Sequence, residues 1–266
     1  MKIFYDVDTQ NDFMNKDGAL YVPDAELIKP NLKLLTNYIR EKKRSSGDAA
    51  GNNVLVGSVD RHFGTEEYKE REPELKRNGG PFQDHCMDKT VGQLKNRATI
   101  PSKDYDYIHY GFLGKDSTFD EYDQWKHYSK YGFYTFFENY LDTKKHSEFL
   151  DSIFTKNRLV NNRLKNLYGL YFEKQNIDVF TNPGFELFLE KAGVKEAVVY
   201  GVATDYCIKA GVLGMQKRDV QCYVVEDAIK GINPETSKEA LDEMIDSGAR
   251  LVRTEDILRG KLKWKK

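Results

Sequence analysis

The residues best suited to chemistry are a cysteine, an acid and a lysine that lie far apart in the chain. Cys207 stands in Gly201-Val202-Ala203-Thr204-Asp205-Tyr206-Cys207-Ile208, where an apolar run gives way to a helical pattern. A thiol at a helix N-terminus feels the positive end of the dipole, which favours thiolate. Backbone N–H groups at such a turn are unpaired by the helix and can face an oxyanion. Asp8, in Asp6-Val7-Asp8-Thr9-Gln10-Asn11-Asp12-Phe13, follows the first apolar run and can accept a proton. Lys174, in Phe172-Glu173-Lys174-Gln175, would lower the pKa of a nearby thiol by its charge. A second constellation is Asp60-Arg61-His62, followed by Gly80-Pro81-Phe82-Gln83-Asp84-His85-Cys86. One carboxylate and two imidazoles suit Zn²⁺, Fe²⁺ or Mn²⁺. A further oxygen ligand could come from Glu70, Glu72 or Glu74. Taken singly, each feature has a plainer reading: a buried structural cysteine, an acid capping a turn, a solvated lysine, an acidic face.

These residues can meet only if the elements around them form a sheet. Lys2 to Val7 and Val54 to Val59 read as buried strands, with the helical spacing of Leu27, Ile28, Leu32, Leu35, Tyr38 and Ile39 between them, over Asp24 to Lys43. Ser45 to Asn53 is a loop by its small polar residues. Later come a strand at Leu170 to Phe172, a helix from Pro183 to Lys191, a strand at Ala197 to Val202 and a helix over Asp205 to Lys217. A strand at Val220 to Val225, a helix at Pro234 to Asp246 and a strand at Arg250 to Val252 follow. Alternation of this kind predicts an α/β fold, a doubly wound parallel sheet flanked by helices. Its sites form beyond the carboxyl ends of the strands, where Asp8, Asp60, Lys174 and Cys207 fall. Residues 105–170 break the pattern with a load of aromatics among charges, including Phe119, Trp125, Tyr131 and Phe136. They are expected to form an inserted, mainly helical subdomain packed near the site, with Ser147 to Leu170 helical. The α/β domain is then 1–104 with 171–266.

Composition excludes several classes of function. The chain has 266 residues, 41 Lys plus Arg against 42 Asp plus Glu, and a net charge of -1, so no overall field draws in nucleic acid. No apolar run approaches a membrane span, and the start of the chain lacks the apolar stretch of a secretory signal. Cysteines at 86, 207 and 222 are too few for a disulfide framework. A cytoplasmic protein with reduced thiols is expected, without nucleic-acid or membrane partners.

In their order and wording these segments resemble the isochorismatase-like cysteine hydrolases, over about residues 1–100 and 170–258. The resemblance implies a catalytic triad of Asp8, Lys174 and Cys207, with Lys115 a weaker competitor for the lysine. It also implies a cis peptide at Val202–Ala203 that aims the Ala203 and Cys207 N–H groups at an oxyanion. Within the family, Asp60, His62 and the Pro81-Phe82-Gln83-Asp84-His85-Cys86 segment are similar to nicotinamidases. This implies a divalent metal, zinc first and iron or manganese next, held by Asp60, His62 and His85, and no organic cofactor. Phe13 and Phe82 would wall a flat aromatic ring. At the position six after His62, where some relatives place another histidine, this chain has Tyr68, and Glu74 beside Pro73 is the natural substitute. The Lys174 segment and the insert depart from the nicotinamidase pattern. The implied reaction is nicotinamide to nicotinic acid and ammonia through a thioester, in a homo-oligomer. Another small-amide or ureido hydrolase is the enzymatic alternative, and a silent scaffold using residues 105–170 as a partner surface is the other.

Overall fold

The computed structural model describes residues 1–45, 53–88, 90–99 and 167–261, and between the last two stretches residues 106–110, 147, 150, 154–155 and 158–159. The strands are β1 (Lys2–Val7), β2 (Asn53–Asp60), β3 (Asp106–Tyr110), β4 (Phe154–Thr155), β5 (Arg158–Leu159), β6 (Leu167–Lys174), β7 (Glu196–Val202), β8 (Gln221–Lys230) and β9 (Arg250–Val252). The helices are α1 (Asn11–Met14), α2 (Ala25–Ser45), α3 (Pro183–Lys191), α4 (Lys209–Gln216), α5 (Pro234–Asp246) and α6 (Thr254–Leu258). Seven strands form one sheet in the order β3-β6-β2-β1-β7-β8-β9. All of its pairings are parallel.

Period-2 alternation in buried strands feeds two separate cores. Ile3, Tyr5 and Val7 point to one face, with Phe185 and Phe188 of α3, Val212 and Met215 of α4 and Met244 of α5. Phe4 points to the other, with Ile28, Leu32, Leu35 and Ile39 of α2 and Ile257 of α6. Both faces are therefore covered, which is why these strands read as near-continuous apolar runs. Two helix starts carry matching signals. The Asn182 side chain accepts from Gly184 N ahead of α3, and Asn233 accepts from Glu235 N and Thr236 N ahead of α5. In both, proline occupies the first turn, where its missing N–H costs nothing.

Chain order reverses direction between β1 and β7: earlier strands lie on one side of β1, and β7, β8 and β9 on the other. The carboxyl ends of β1 and β7 thus flank the topological switch point, where such sheets place their sites. Close approach there demands glycine. Gly201 has φ +122, and a Cβ on it would lie 2.1 Å from the Val7 carbonyl oxygen.

Three expectations change. The helix expected over Ser147 to Leu170 does not run through: Phe154–Thr155 pairs antiparallel with Arg158–Leu159, and β6 already begins at Leu167. The run from Leu167 to Phe172 joins the sheet between β2 and β3, and an apolar run of that length is compatible with helix or strand until its neighbours are known. The expected insert limits, 105 and 170, adjoin or fall inside sheet strands, because Asp106–Tyr110 pairs with β6. Residues 111–146, with Lys115 and most of the aromatics named above, lie outside the described residues. Finally, the segment expected as one helix from Asp205 begins with a π-helical turn, Thr204–Ile208, and becomes α-helical at Lys209. Such wide turns recur at functional sites.

Candidate active site

Asp8 sits one residue beyond β1, Lys174 ends β6, and Cys207 lies in the π turn after β7. Register brings them together: Asp60 is the parallel partner of Lys174, and Val7 that of Gly201. Lys174 Nζ lies 3.0 Å from Asp8 Oδ2 and donates to Cys207 Sγ at 3.4 Å. It also donates to Asp60 Oδ1 in a very short contact. Carboxylate oxygens of Asp8 and Asp60 and the Cys207 sulfur all lie within 4.8 Å of one another. The peptide Val202–Ala203 is cis, and Asp8 holds φ 44, a left-handed conformation uncommon outside glycine.

Burial governs the electrostatics. It pushes Asp8 up to about 6, with Lys174 pulling the other way and Asp60 adding to the rise. Burial would lower Lys174, but the Asp60 and Asp8 carboxylates hold it charged, well above its ordinary value. At Cys207 burial works against the thiolate bias expected from the turn. Burial raises the thiol well above its usual range, the Lys174 charge opposes this, and the Asp8 and Asp60 carboxylates reinforce it.

The second constellation lies beside the first. Asp60, His62, Glu74 and His85 are all buried, and one donor atom from each falls within 4.8 Å of the rest. His62 Nε2 is 2.9 Å from Glu74 Oε1, and His85 Nε2 is 3.4 Å from Glu74 Oε1 and 3.7 Å from Asp60 Oδ2. Local pairing assembles the group. His62 N donates to Cys86 O at 3.1 Å, Asp88 N to His62 O at 2.6 Å, and Phe82 N to Glu74 O at 2.9 Å. Gln10 clamps the backbone of Asp60, donating to its carbonyl at 2.7 Å and accepting from its N–H at 2.6 Å. Of the three glutamates weighed, Glu74 enters the group; Glu70 is exposed, and Glu72 is buried but turned to other partners.

These four side chains fit a divalent cation. Both ring nitrogens of His62 are buried without a hydrogen bond of good geometry, and Nε2 faces the group with Glu74 Oε1 2.9 Å away. Two imidazoles and two carboxylates at this spacing match the preferred ligands of a borderline divalent ion. Without a cation, the Asp60 and Glu74 carboxylates outweigh burial and raise His85 to about 10, and Glu72 and Glu74 outweigh burial at His62 and raise it above its ordinary value.

Members of both constellations line one pocket: Cys207 from the first, and Asp60, Glu74 and His85 from the second. Phe13 and Phe82 line it as well, with ring centroids 5.4 Å and 6.1 Å from His85. Sequence reasoning missed Tyr206, Ile177, Ile232, Leu20 and Val22, which complete the apolar wall. Tyr206 stacks edge-on against Phe82 at 5.0 Å, and its place beside Cys207 was a usable signal. Ile177 and Ile232 carry no local signal, since each enters from a loop whose path the sheet decides. Among the described residues no helix is long and apolar enough to cross a membrane.

The Isochorismatase domain model matches residues 126–256. A nicotinamidase of Acinetobacter baylyi is 30% identical over 82 residues, which are 30% of this chain and 38% of that protein. The match thus spans well under half the length of that relative. The crystal structure of a pyrazinamidase of Pyrococcus horikoshii in complex with zinc is similar at TM-score 0.58 and 22% identity, covering 95% of this chain and 98% of that one. A nicotinamidase/pyrazinamidase of Bacillus subtilis is similar at TM-score 0.59 and 19% identity, covering 95% and 99%. At these identities the likeness of the two structures speaks for the fold.

Proposed function

We propose that the chain is an isochorismatase-like nicotinamidase, an amidohydrolase that converts nicotinamide to nicotinic acid and ammonia. The observation that carries the reading is a pocket lined by Cys207, behind which Lys174 and Asp8 are buried, and by Asp60, Glu74 and His85 of the cation group. A substrate there meets a nucleophile and a cation site at once. The matched nicotinamidase stretch and the zinc-bound structural neighbour favour the same substrate class and zinc as the ion.

In this mechanism the ring lies between Phe13 and Phe82. Asp60, His62, Glu74 and His85 would hold a divalent ion, which would supply Lewis-acid binding for the substrate ring. Asp8 takes the Cys207 proton as the sulfur attacks the carboxamide carbon, and Lys174 stabilises the negative charge by proximity. The Ala203 and Cys207 N–H groups face the oxyanion. The C–N bond then breaks, and Asp8 passes its proton to the departing ammonia. Asp8 next takes a proton from water, whose oxygen attacks the thioester and restores the Cys207 thiol. Proton transfer needs a separation of about 3 Å or one bridging water, which the spacing of up to 4.8 Å between Asp8 and Cys207 allows.

The test is ammonia release from nicotinamide by purified, metal-analysed protein, with Cys207→Ala beside it. Release by the wild type and none by the variant supports the reading. No release from metal-loaded wild type removes nicotinamide and directs the search to other small amides and ureido compounds, with a silent scaffold favoured if Cys207 also fails to react with thiol reagents. The soluble homo-oligomer expected for such an enzyme is checked by light scattering.

A further inference from the structure

His62 is gripped from both sides by one short stretch of chain. In Glu72-Pro73-Glu74 the two glutamates are buried, while the proline between them is exposed. Glu74 approaches His62 Nε2 at 2.9 Å, on the side of the cation group. Glu72 lies on the opposite side, with Oε1 3.7 Å from His62 Nδ1 and both residues fully buried. The Glu72 carboxylate also accepts from the Phe63 and Gly64 N–H groups, the latter at 2.9 Å, so it fixes the turn that leaves His62. Its own backbone is pinned: Glu72 N donates to Tyr68 O at 3.0 Å, and Asn78 Nδ2 donates to Glu72 O at 2.9 Å. A buried carboxylate with two backbone donors is immobile, and it presents negative charge to one ring nitrogen only.

We propose that Glu72 is a positioning residue for the cation site: it holds the His62 ring with Nδ1 protonated and facing Glu72, leaving the Nε2 lone pair for the ion. The inference rests on the cation-binding part of the function proposed above, not on the substrate. A partner of this kind fixes both the tautomer and the ring orientation, and losing one typically weakens metal binding ~10–100-fold. Glu72 also accounts for the local sequence: the turn through Pro73, in which Leu75 N donates to Glu72 O, places one carboxylate as ligand and its neighbour as brace.

Zinc affinity is measured by competition with a chromophoric chelator for the wild type, Glu72→Gln and Glu74→Gln. Glu72→Gln is expected to bind one zinc per chain with ~10–100-fold weaker affinity, and the metal-free forms to share the wild-type circular dichroism. Unchanged affinity in Glu72→Gln overturns the proposal, as does a wild type that binds no zinc. Should Glu72→Gln fail to fold, long-range ¹H–¹⁵N spectra of zinc-loaded wild type decide. A His62 ring protonated at Nδ1 and bound through Nε2 supports the proposal, and coordination through Nδ1 overturns it. Neither readout involves turnover, so a protein that binds zinc as expected yet leaves nicotinamide intact fails the substrate assignment alone.

Discussion

The two halves of the site are built by opposite means. Asp8, Lys174 and Cys207 come from three strand ends spread over most of the chain, and the register of a buried parallel sheet brings them together. Asp60 ends β2, and His62, Glu74 and His85 come from the irregular stretch of chain after it, shaped by isolated bridges at His62–Met87 and Leu75–Phe82 and by side chains bonded to backbone. The first arrangement inherits its rigidity from two hydrophobic cores. The second depends on a handful of polar contacts, and it is the part that a cation can tighten. Damage to the sheet-held group should therefore appear in the chemical step, and damage to the loop-held group in metal affinity.

The largest expected effect lies in the first group. Cys207→Ala should lower kcat for nicotinamide by at least ~10⁴-fold, since removing a nucleophile removes the reaction path. It should leave zinc stoichiometry at the wild-type value by metal analysis. Loss of zinc in this variant would break the separation between the two halves. Conversely, His85→Ala should weaken zinc binding by more than ~100-fold, beyond the cost of an outer partner, while iodoacetamide still labels Cys207. A label lost together with the metal would show that the two groups fold as one.

Gly201→Ala probes the junction of β1 and β7. With φ +122 and a Cβ position 2.1 Å from a Val7 backbone oxygen, it should lower unfolding stability by about 2–4 kcal/mol in urea titrations. Near-wild-type stability would mean that the sheet edge yields more readily than its register suggests.

The mildest test is pH. Asp8 must be ionised to act as base, and burial has raised it to about 6, so kcat/KM should fall about tenfold per unit below that value and level off above it. A bound cation adds positive charge nearby and would move this limb downward. Zinc affinity should rise with pH, because the raised His62 and His85 must shed protons to bind the ion. A pH-independent affinity would indicate that both rings are neutral beforehand and that the loop is as preorganised as the sheet.

Most of the sheet was legible in the chain. Strand and helix positions along 1–60 and 183–252 follow from apolar periods and from the prolines that open helices at Pro183 and Pro234. The stretch from 147 to 170 was not, because a local period cannot distinguish a helix from a strand buried on both faces, and both neighbours of β6 lie earlier in the chain, β2 by about a hundred residues and β3 by about sixty.

Residue type and local order alone determined which groups could do chemistry here: Asp8, Lys174, Cys207, and the ligand types at Asp60, His62 and His85. Nothing local could decide among Glu70, Glu72 and Glu74, since all three carry the same carboxylate and only the path of the loop separates exposed, bracing and ligand positions. Nor could it give the state of the Cys207 thiol. Proximity to a lysine and a helix start argue for thiolate, whereas the depth of burial and two neighbouring carboxylates, which arise only on folding, argue more strongly for the proton. Charge and chemical type are properties of a residue; solvation and distance belong to the folded chain.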